Sequence, residues 1–199
     1  MKSKFIIALL PAALCLASCN NTLGKSFDFN KYEEYREKVV YANECLPTVN
    51  DLLQYEAVQF AYRKTSYFAM LGFQSEGISL FLDYNQENYD LEKEYIENKF
   101  TFIEEPVGGA PYYQFPVISF TYKDYDFRIA PKAYTDEEGK VSYLCKSFTM
   151  IGYNETLRSV AYLYFYDFDL DYLSEKSDSQ EDINKRMPKL IEESFYWRK

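Results

Sequence analysis

No residue of this chain is a histidine, so its acids, bases and nucleophiles come from 31 carboxylates, 21 tyrosines, four cysteines and the hydroxyl residues. Ser-His-Asp and Cys-His catalysis, HExxH zinc sites and histidine proton shuttles are therefore excluded. The chain carries no GxSxG, SxxK, GxGxxG or phosphate-loop motif either. Ser75, between Gly72 and Gly77, misses the nucleophile-elbow spacing by one residue. The enzyme chemistry left is that of a sugar or cell-envelope hydrolase, with two carboxylates held about 5 to 9.5 Å apart. Among so many acids the sequence singles out no pair, and no catalytic residue is assigned.

One acidic run stands out. Asp167, Asp169 and Asp171 alternate with Phe168 and Leu170, and Glu175 and Asp178 fall at the ninth and twelfth places of a calcium loop counted from Asp167. Its sixth place is Tyr172, where such a loop turns on glycine, so the run reads as an acidic strand end that discourages edge pairing. No metal and no cofactor is expected. The tyrosines offer binding chemistry instead. Tyr162 and Tyr164 project from one face of the last expected strand, and the central loop ends in Pro111-Tyr112-Tyr113. A ring with a hydroxyl tip suits glycan, peptide or protein surfaces. Tyr112, Tyr113, Tyr162 and Tyr164 are thus the candidate ligand contacts, with plain packing of the strand as the competing reading.

The elements that must position these residues follow from periodicity. Tyr32, Tyr35, Val39 and Ala42 recur at helical spacing, which predicts a helix from Asn30 to Glu44 with Asn30 and Glu33 as a capping box. Three short strands are expected around Val58–Tyr62, Tyr67–Phe73 and Ile78–Tyr84, then a helix from Asn85 to Lys99 that buries Leu91, Tyr95, Ile96 and Phe100. Thr101 to Pro111, with Pro106, Gly108 and Gly109, reads as a loop. Four further strands are predicted near 114–122, 125–133, 140–152 and 157–168. A last helix follows from Ser179 to Arg198, capped by Ser179 and Asp182 and kinked or restarted at Pro188. The expected class is α+β: an antiparallel sheet of about seven strands in two meanders, each followed by a helix, with one N-terminal helix and the helices on one face. Ile78–Tyr84 and Val160–Asp167 sit at matching places, which admits a duplication of 55–100 and 112–198.

Location is written in the leader. Lys2 and Lys4 precede an apolar run from Phe5 to Ala17, and Leu16-Ala17-Ser18-Cys19 closes it. The layout is that of a signal peptide, and the run is well short of the roughly 20 residues that a helix needs to cross the bilayer. Leu16 to Cys19 resembles the lipobox of bacterial lipoproteins. That resemblance implies cleavage after Ser18, a diacylglycerol on the Cys19 sulfur and an extracytoplasmic domain on a lipid anchor. Two acyl chains hold a protein on a membrane where one is marginal. Residues 19–26 are expected as a lipidated tether and 27–199 as a single domain, in keeping with a length that fits one domain. Leu46 to Tyr62, with the acidic helix after Tyr84, is similar to small lipoproteins of Gram-positive gut bacteria, a group that implies habitat and no activity.

Cleavage removes Lys2 and Lys4 and no acid, which leaves 20 basic against 31 acidic side chains, a formal charge of −11. Nucleic acid is a poor partner for such a surface. The expected partners are the membrane, through Cys19, and an envelope protein or a glycan. Export permits a disulfide between Cys45 and Cys145, the alternative being two buried thiols. The function class that fits is a noncatalytic binding or interaction module on the membrane, with the hydrolase as the alternative. Cys19→Ala is expected to leave the precursor unprocessed or to release the protein from the membrane, read by radiolabelled-lipid incorporation and fractionation. Normal processing and retention of the variant would refute the lipid anchor.

Overall fold

The computed structural model describes residues 21–68, 73–104, 107–110, 113–115, 119–135, 139, 141–167 and 180–198. The strands are β1 (Asn21–Ser26), β2 (Ala57–Phe68), β3 (Phe73–Asp83), β4 (Val107–Ala110), β5 (Tyr113–Phe115), β6 (Ser119–Tyr122), β7 (Tyr125–Thr135), β8 (Val141–Asn154) and β9 (Ser159–Asp167). The helices are α1 (Tyr32–Lys38), α2 (Ala42–Cys45), α3 (Gln86–Lys99) and α4 (Gln180–Ser194). Seven strands form one sheet in the order β1-β2-β3-β9-β8-β7-β6, every neighbouring pair antiparallel, and β4 with β5 makes a separate hairpin. The class is α+β with a seven-stranded antiparallel sheet, as the sequence leads one to expect.

Its membership differs from the expectation at the N-terminal side. The expected tether carries β1, which pairs Asn21 with Ser66 and Ser26 with Tyr62. The three expected strands from Val58 to Tyr84 are two long ones. Arg63 to Ser66 reads as a polar connection, yet β2 runs straight through it, because β1 covers that edge and the Thr65 and Ser75 hydroxyls bond each other across β2 and β3 at 2.5 Å. Tyr67 and Phe68 therefore end one strand and Phe73 begins the next.

The first helix also departs from expectation. Asp28, not Asn30, supplies the cap: its carboxylate accepts the Asn30 N–H at 3.1 Å and opens a single 3-10 turn ahead of α1. Glu33 is bound to Arg36 at 2.7 Å and accepts the Val49 N–H instead. The helix ends at Val39, whose backbone is extended, and Tyr41, with a left-handed backbone at φ 60°, lets α2 restart at Ala42. Asn85 caps α3 by accepting the Asn88 N–H at 2.9 Å. In α4, Pro188 sits inside the helix without ending it, and Ser179 of the expected cap lies outside the described residues.

The sheet is covered on both faces rather than one. Ile78, Leu80, Leu82, Val160, Tyr162 and Tyr164 point toward α1, α2 and α3, where Tyr32, Ala42, Tyr89 and Ile96 close over them. Phe81, Ala161, Leu163, Phe165, Phe148 and Phe127 point the other way, under Met187, Ile191 and Phe195 of the C-terminal segment. A strand buried on both faces reads as a continuous apolar run, and the stretch from Val160 to Phe165 is such a run. The chain passes between the layers at Phe102 and Ile103, which belong to opposite cores, and the Ile103 N–H is taken by the Ile129 carbonyl at the β7 edge. The matched segments pair symmetrically about Leu80 and Tyr162. A two-fold relating such antiparallel neighbours would carry α3 and α4 to one face, however, and they lie on opposite faces, so the halves are not copies under that axis.

Close approach explains two glycines. A Cβ on Gly77 would stand 2.2 Å from the Ser194 carbonyl oxygen at the end of α4, and one on Gly152 would meet the buried Phe127 ring at 2.4 Å. On Gly24 it would find ordinary contacts at 3.7 and 3.8 Å. Overpacking of this kind costs about 1–3 kcal/mol, and each kcal/mol moves the midpoint of a domain this size by about 2–4 °C. Gly77→Ala and Gly152→Ala are expected to lower the melting temperature of the purified protein, followed by circular dichroism. Gly24→Ala is expected to leave it unchanged.

Candidate functional site

The structure does not bring the four candidate tyrosines together at a surface. Tyr162 and Tyr164 are wholly buried. The Tyr162 hydroxyl donates to Glu92 of α3 at 2.5 Å, and the Tyr164 hydroxyl meets the Val40 carbonyl and the Ser147 hydroxyl. Neither ring is left for a ligand, because α1, α2 and α3 occupy the face that the alternating pattern left open to solvent. Tyr112 lies outside the described residues, and of Tyr113 only its place in β5, opposite Ala110, is described.

Cys45 is buried with a free thiol that burial pushes up to about 11, so it is a packing group and not a nucleophile. Cys145 lies on β8, its side chain outside the described residues, as are Cys19 and the acids from Asp169 to Asp178. Among the described residues no three acids or cysteines gather as metal ligands. Glu92 does combine burial with a raised pKa, but it is sealed beneath α3 and out of reach of a substrate.

What the structure presents at its surface is a groove of about 640 Å³ along the outer edge of β2. Its origin is a strand that stops short. β1 pairs only with Tyr62 to Ser66, and the chain then turns away through Phe27 toward the 3-10 turn at Phe29. From Ala57 to Ala61, β2 has no strand on that side among the described residues. Such an edge presents unpaired N–H and C=O groups in alternation. Phe27 and Phe29 form one wall, Tyr196 and Trp197 the other, with Phe60 and Phe81 between them. Phe27 is 58% exposed, and its ring packs against that of Tyr196, centroids 4.8 Å apart, so the two walls touch at that point.

The second wall is held by charge. After α4 the chain continues as Phe195 to Arg198, and the Arg198 guanidinium grips Asp83 with both nitrogens, at 2.6 and 2.9 Å. The same group reaches the Tyr125 and Ser159 hydroxyls at 2.9 Å each. Burial raises the Asp83 carboxyl, but Arg198 and Ser159 outweigh it and hold the group below the usual carboxylate range. With Arg198 committed, Trp197 packs edge-on against Phe81, Tyr122 and Tyr125. Ser79, a polar residue on the buried face, donates to the Tyr196 carbonyl at 3.1 Å and fixes the same wall. The groove is lined by apolar rings and an open backbone edge, with Gln59, Ser79 and Arg198 as its polar side chains among the described residues.

The buried carboxyl opposite has a structural role that titration can read. Burial pushes Glu92 above the usual glutamate range, and the Tyr162 hydroxyl pulls against it. The native carboxyl thus keeps its proton to higher pH than the unfolded one. Between the two pKa values the native state binds more protons, and stability falls as pH rises through that interval. Glu92→Gln keeps an acceptor for Tyr162 and removes the titration. Relative to wild type, the variant is expected to gain urea-unfolding stability as pH rises above about 4, near the unfolded carboxyl. An unchanged difference across that range would show Glu92 to be ionised in the native state.

Searches of family models, of curated proteins and of solved structures found no match to this chain.

Proposed function

We propose that this chain is an extracytoplasmic lipoprotein, anchored through Cys19, that acts as a noncatalytic binding module and takes an extended peptide segment of an envelope protein along the open edge of β2. The observation that carries the reading is the coincidence of an unpaired strand edge with aromatic walls on both sides of it. A peptide added to a sheet edge gains main-chain hydrogen bonds, and alternate side chains of it enter flanking pockets. Tyr and Trp supply contact area at small entropic cost, and interfaces are enriched in them. The lipobox-like exit supports the anchor, and the net charge of −11 after cleavage argues against nucleic acid as the partner.

The test is thermal melting of the full chain in detergent with three probe sets: strand-forming hexapeptides carrying aromatic residues, cell-wall glycan fragments and soluble oligosaccharides. A ligand at about a hundredfold its Kd adds about 2.7 kcal/mol, which raises the midpoint by about 5–10 °C in a domain of this size. The aromatic peptides are expected to give that shift, and Phe27→Ala with Tyr196→Ala to abolish it. A shift from glycan alone, surviving the double change, would overturn the peptide reading, and so would the absence of any peptide shift.

A further inference from the structure

We infer that the segment bound at the β2 edge carries one large aromatic side chain at the place opposite Gln59, which enters a slot on the α4 face between β2 and Trp197, while the residues next to it in sequence need no bulk. The inference rests on the peptide reading of the groove and adds the sequence that the groove selects. Cross-strand partners share a face of a sheet, so the register of β2 with β3 sorts the groove into two unequal sides. Gln59 and Ala61 pair with Phe81 and Ser79 and face α4, whereas Val58 and Phe60 pair with Leu82 and Leu80 and face α1, α2 and α3. On the latter side the Phe60 ring packs against those of Tyr32 and Tyr35, centroids 5.7 and 6.1 Å away, and is 4% exposed. That side is filled up to the edge.

The α4 side is filled only over β3. Tyr196, Trp197 and Arg198 in turn meet Ser79, Phe81 and Asp83, through the Ser79 hydroxyl on the Tyr196 carbonyl at 3.1 Å, the Trp197 and Phe81 rings with centroids 5.0 Å apart, and the Arg198 grip on Asp83. Phe81 is thereby covered, but its β2 partner Gln59 is exposed, and so is Ala57. One end of this open strip is shut. Phe27 follows the last β1 pair, Ser26 with Tyr62, and its ring packs on that of Tyr196; Ala61, the next residue on that face, is buried. At the other end, beside Ala57, the wall is the ion pair of Arg198 with Asp83. The place opposite Gln59 thus offers both room and a ring, that of Trp197, which lines the groove with it. A strand added along Ala57 to Ala61 sends alternate side chains to this face. Aromatic side chains pack edge-on or offset against such a ring, and a single anchor in a pocket commonly carries much of an interface's binding energy.

The test measures Kd by fluorescence anisotropy of dye-labelled hexapeptides on the full chain in detergent. One peptide is threonine throughout, one has a single tryptophan at its third place, and one has tryptophan at its third and fourth places. The single tryptophan is expected to tighten binding about tenfold or more over the threonine peptide. The second, which faces the filled side, is expected to add less than about twofold. Gln59→Trp fills the slot and is expected to erase the gap between the first two peptides, whereas Gln59→Ala keeps it; Gln59 is exposed, and circular dichroism melts check that both variants fold. If no peptide binds the wild type, the peptide reading falls and the slot with it. If the tryptophan peptides bind but the gap survives Gln59→Trp, the slot is wrong and the peptide reading stands. The wild-type series decides by itself should Gln59→Trp not fold: a second tryptophan that adds as much as the first overturns the one-sided slot.

Discussion

The pairing of β3 with β9 at the centre of the sheet, from Ser75 opposite Asp167 to Asp83 opposite Ser159, sets the terms for everything packed around it. Both strands are buried on both faces over most of this length, so neither layer of helices is optional: remove one and the large side chains of that face meet water. The strands also carry tyrosines, and a buried hydroxyl without a partner costs about 1–3 kcal/mol. That cost explains why a glutamate lies under α3. Glu92 accepts from Tyr162, the carbonyl before Tyr41 and the Ser147 hydroxyl serve Tyr164, and Ser159 accepts from Tyr125. Hydroxyl partners thus add to apolar area in positioning the helices.

The margins of the sheet answer a different constraint. An exposed strand edge invites pairing with other chains, and proteins commonly cover or shorten it. Here β1 covers only half of β2, and what flanks the other half is side chains rather than backbone: Phe27 and Phe29 on one side, the Phe195 to Arg198 segment on the other. That segment has no regular structure of its own. It is fixed at its end by the bidentate grip of Arg198 on Asp83, and before that by the Ser79 hydroxyl on the Tyr196 carbonyl. Bidentate Arg–carboxylate pairs combine strength with geometric definition. A partly exposed pair of this type therefore fixes the wall of the groove more than it adds to global stability.

The degree to which all this is legible in the sequence follows from which forces leave a local trace. The hairpins from Tyr125 to Asp167 are readable because alternation and short polar turns specify a strand without reference to the rest of the chain. β1 leaves no such trace: Asn21 to Ser26 has a single large apolar residue and becomes a strand only because β2 offers it an edge. The inward face of α3 is misread for a related reason. Leu91 has the apolar side chain but is 46% exposed, while Glu92 is buried, since the helix turns to meet the Tyr162 hydroxyl and no periodicity of apolar residues records that. Tyr162 and Tyr164 look like contacts for a ligand because a tyrosine stripe is ambiguous between a half-wet face and a face with buried acceptors. The groove is assembled from the two ends of the domain, and the signal that could have found it is the aromatic density of Phe27-Asp28-Phe29 and Phe195-Tyr196-Trp197, whose proximity only the fold supplies.

One strand couples anchor and groove. On the proposed reading, Cys19 fixes the start of β1 at the membrane, and β1 then climbs along β2 as far as Tyr62 before leaving it. The open stretch of β2 begins where β1 ends, and its far end near Val58 lies eight residues along the strand from Ser66. At about 3.3 Å per residue, the far end of the groove stands on the order of 25 Å from the start of β1. On that reading a longer β1 would close the edge proposed to bind, and a shorter one would lengthen the tether to the lipid. The length of this single element therefore sets how much of the β2 edge stays open.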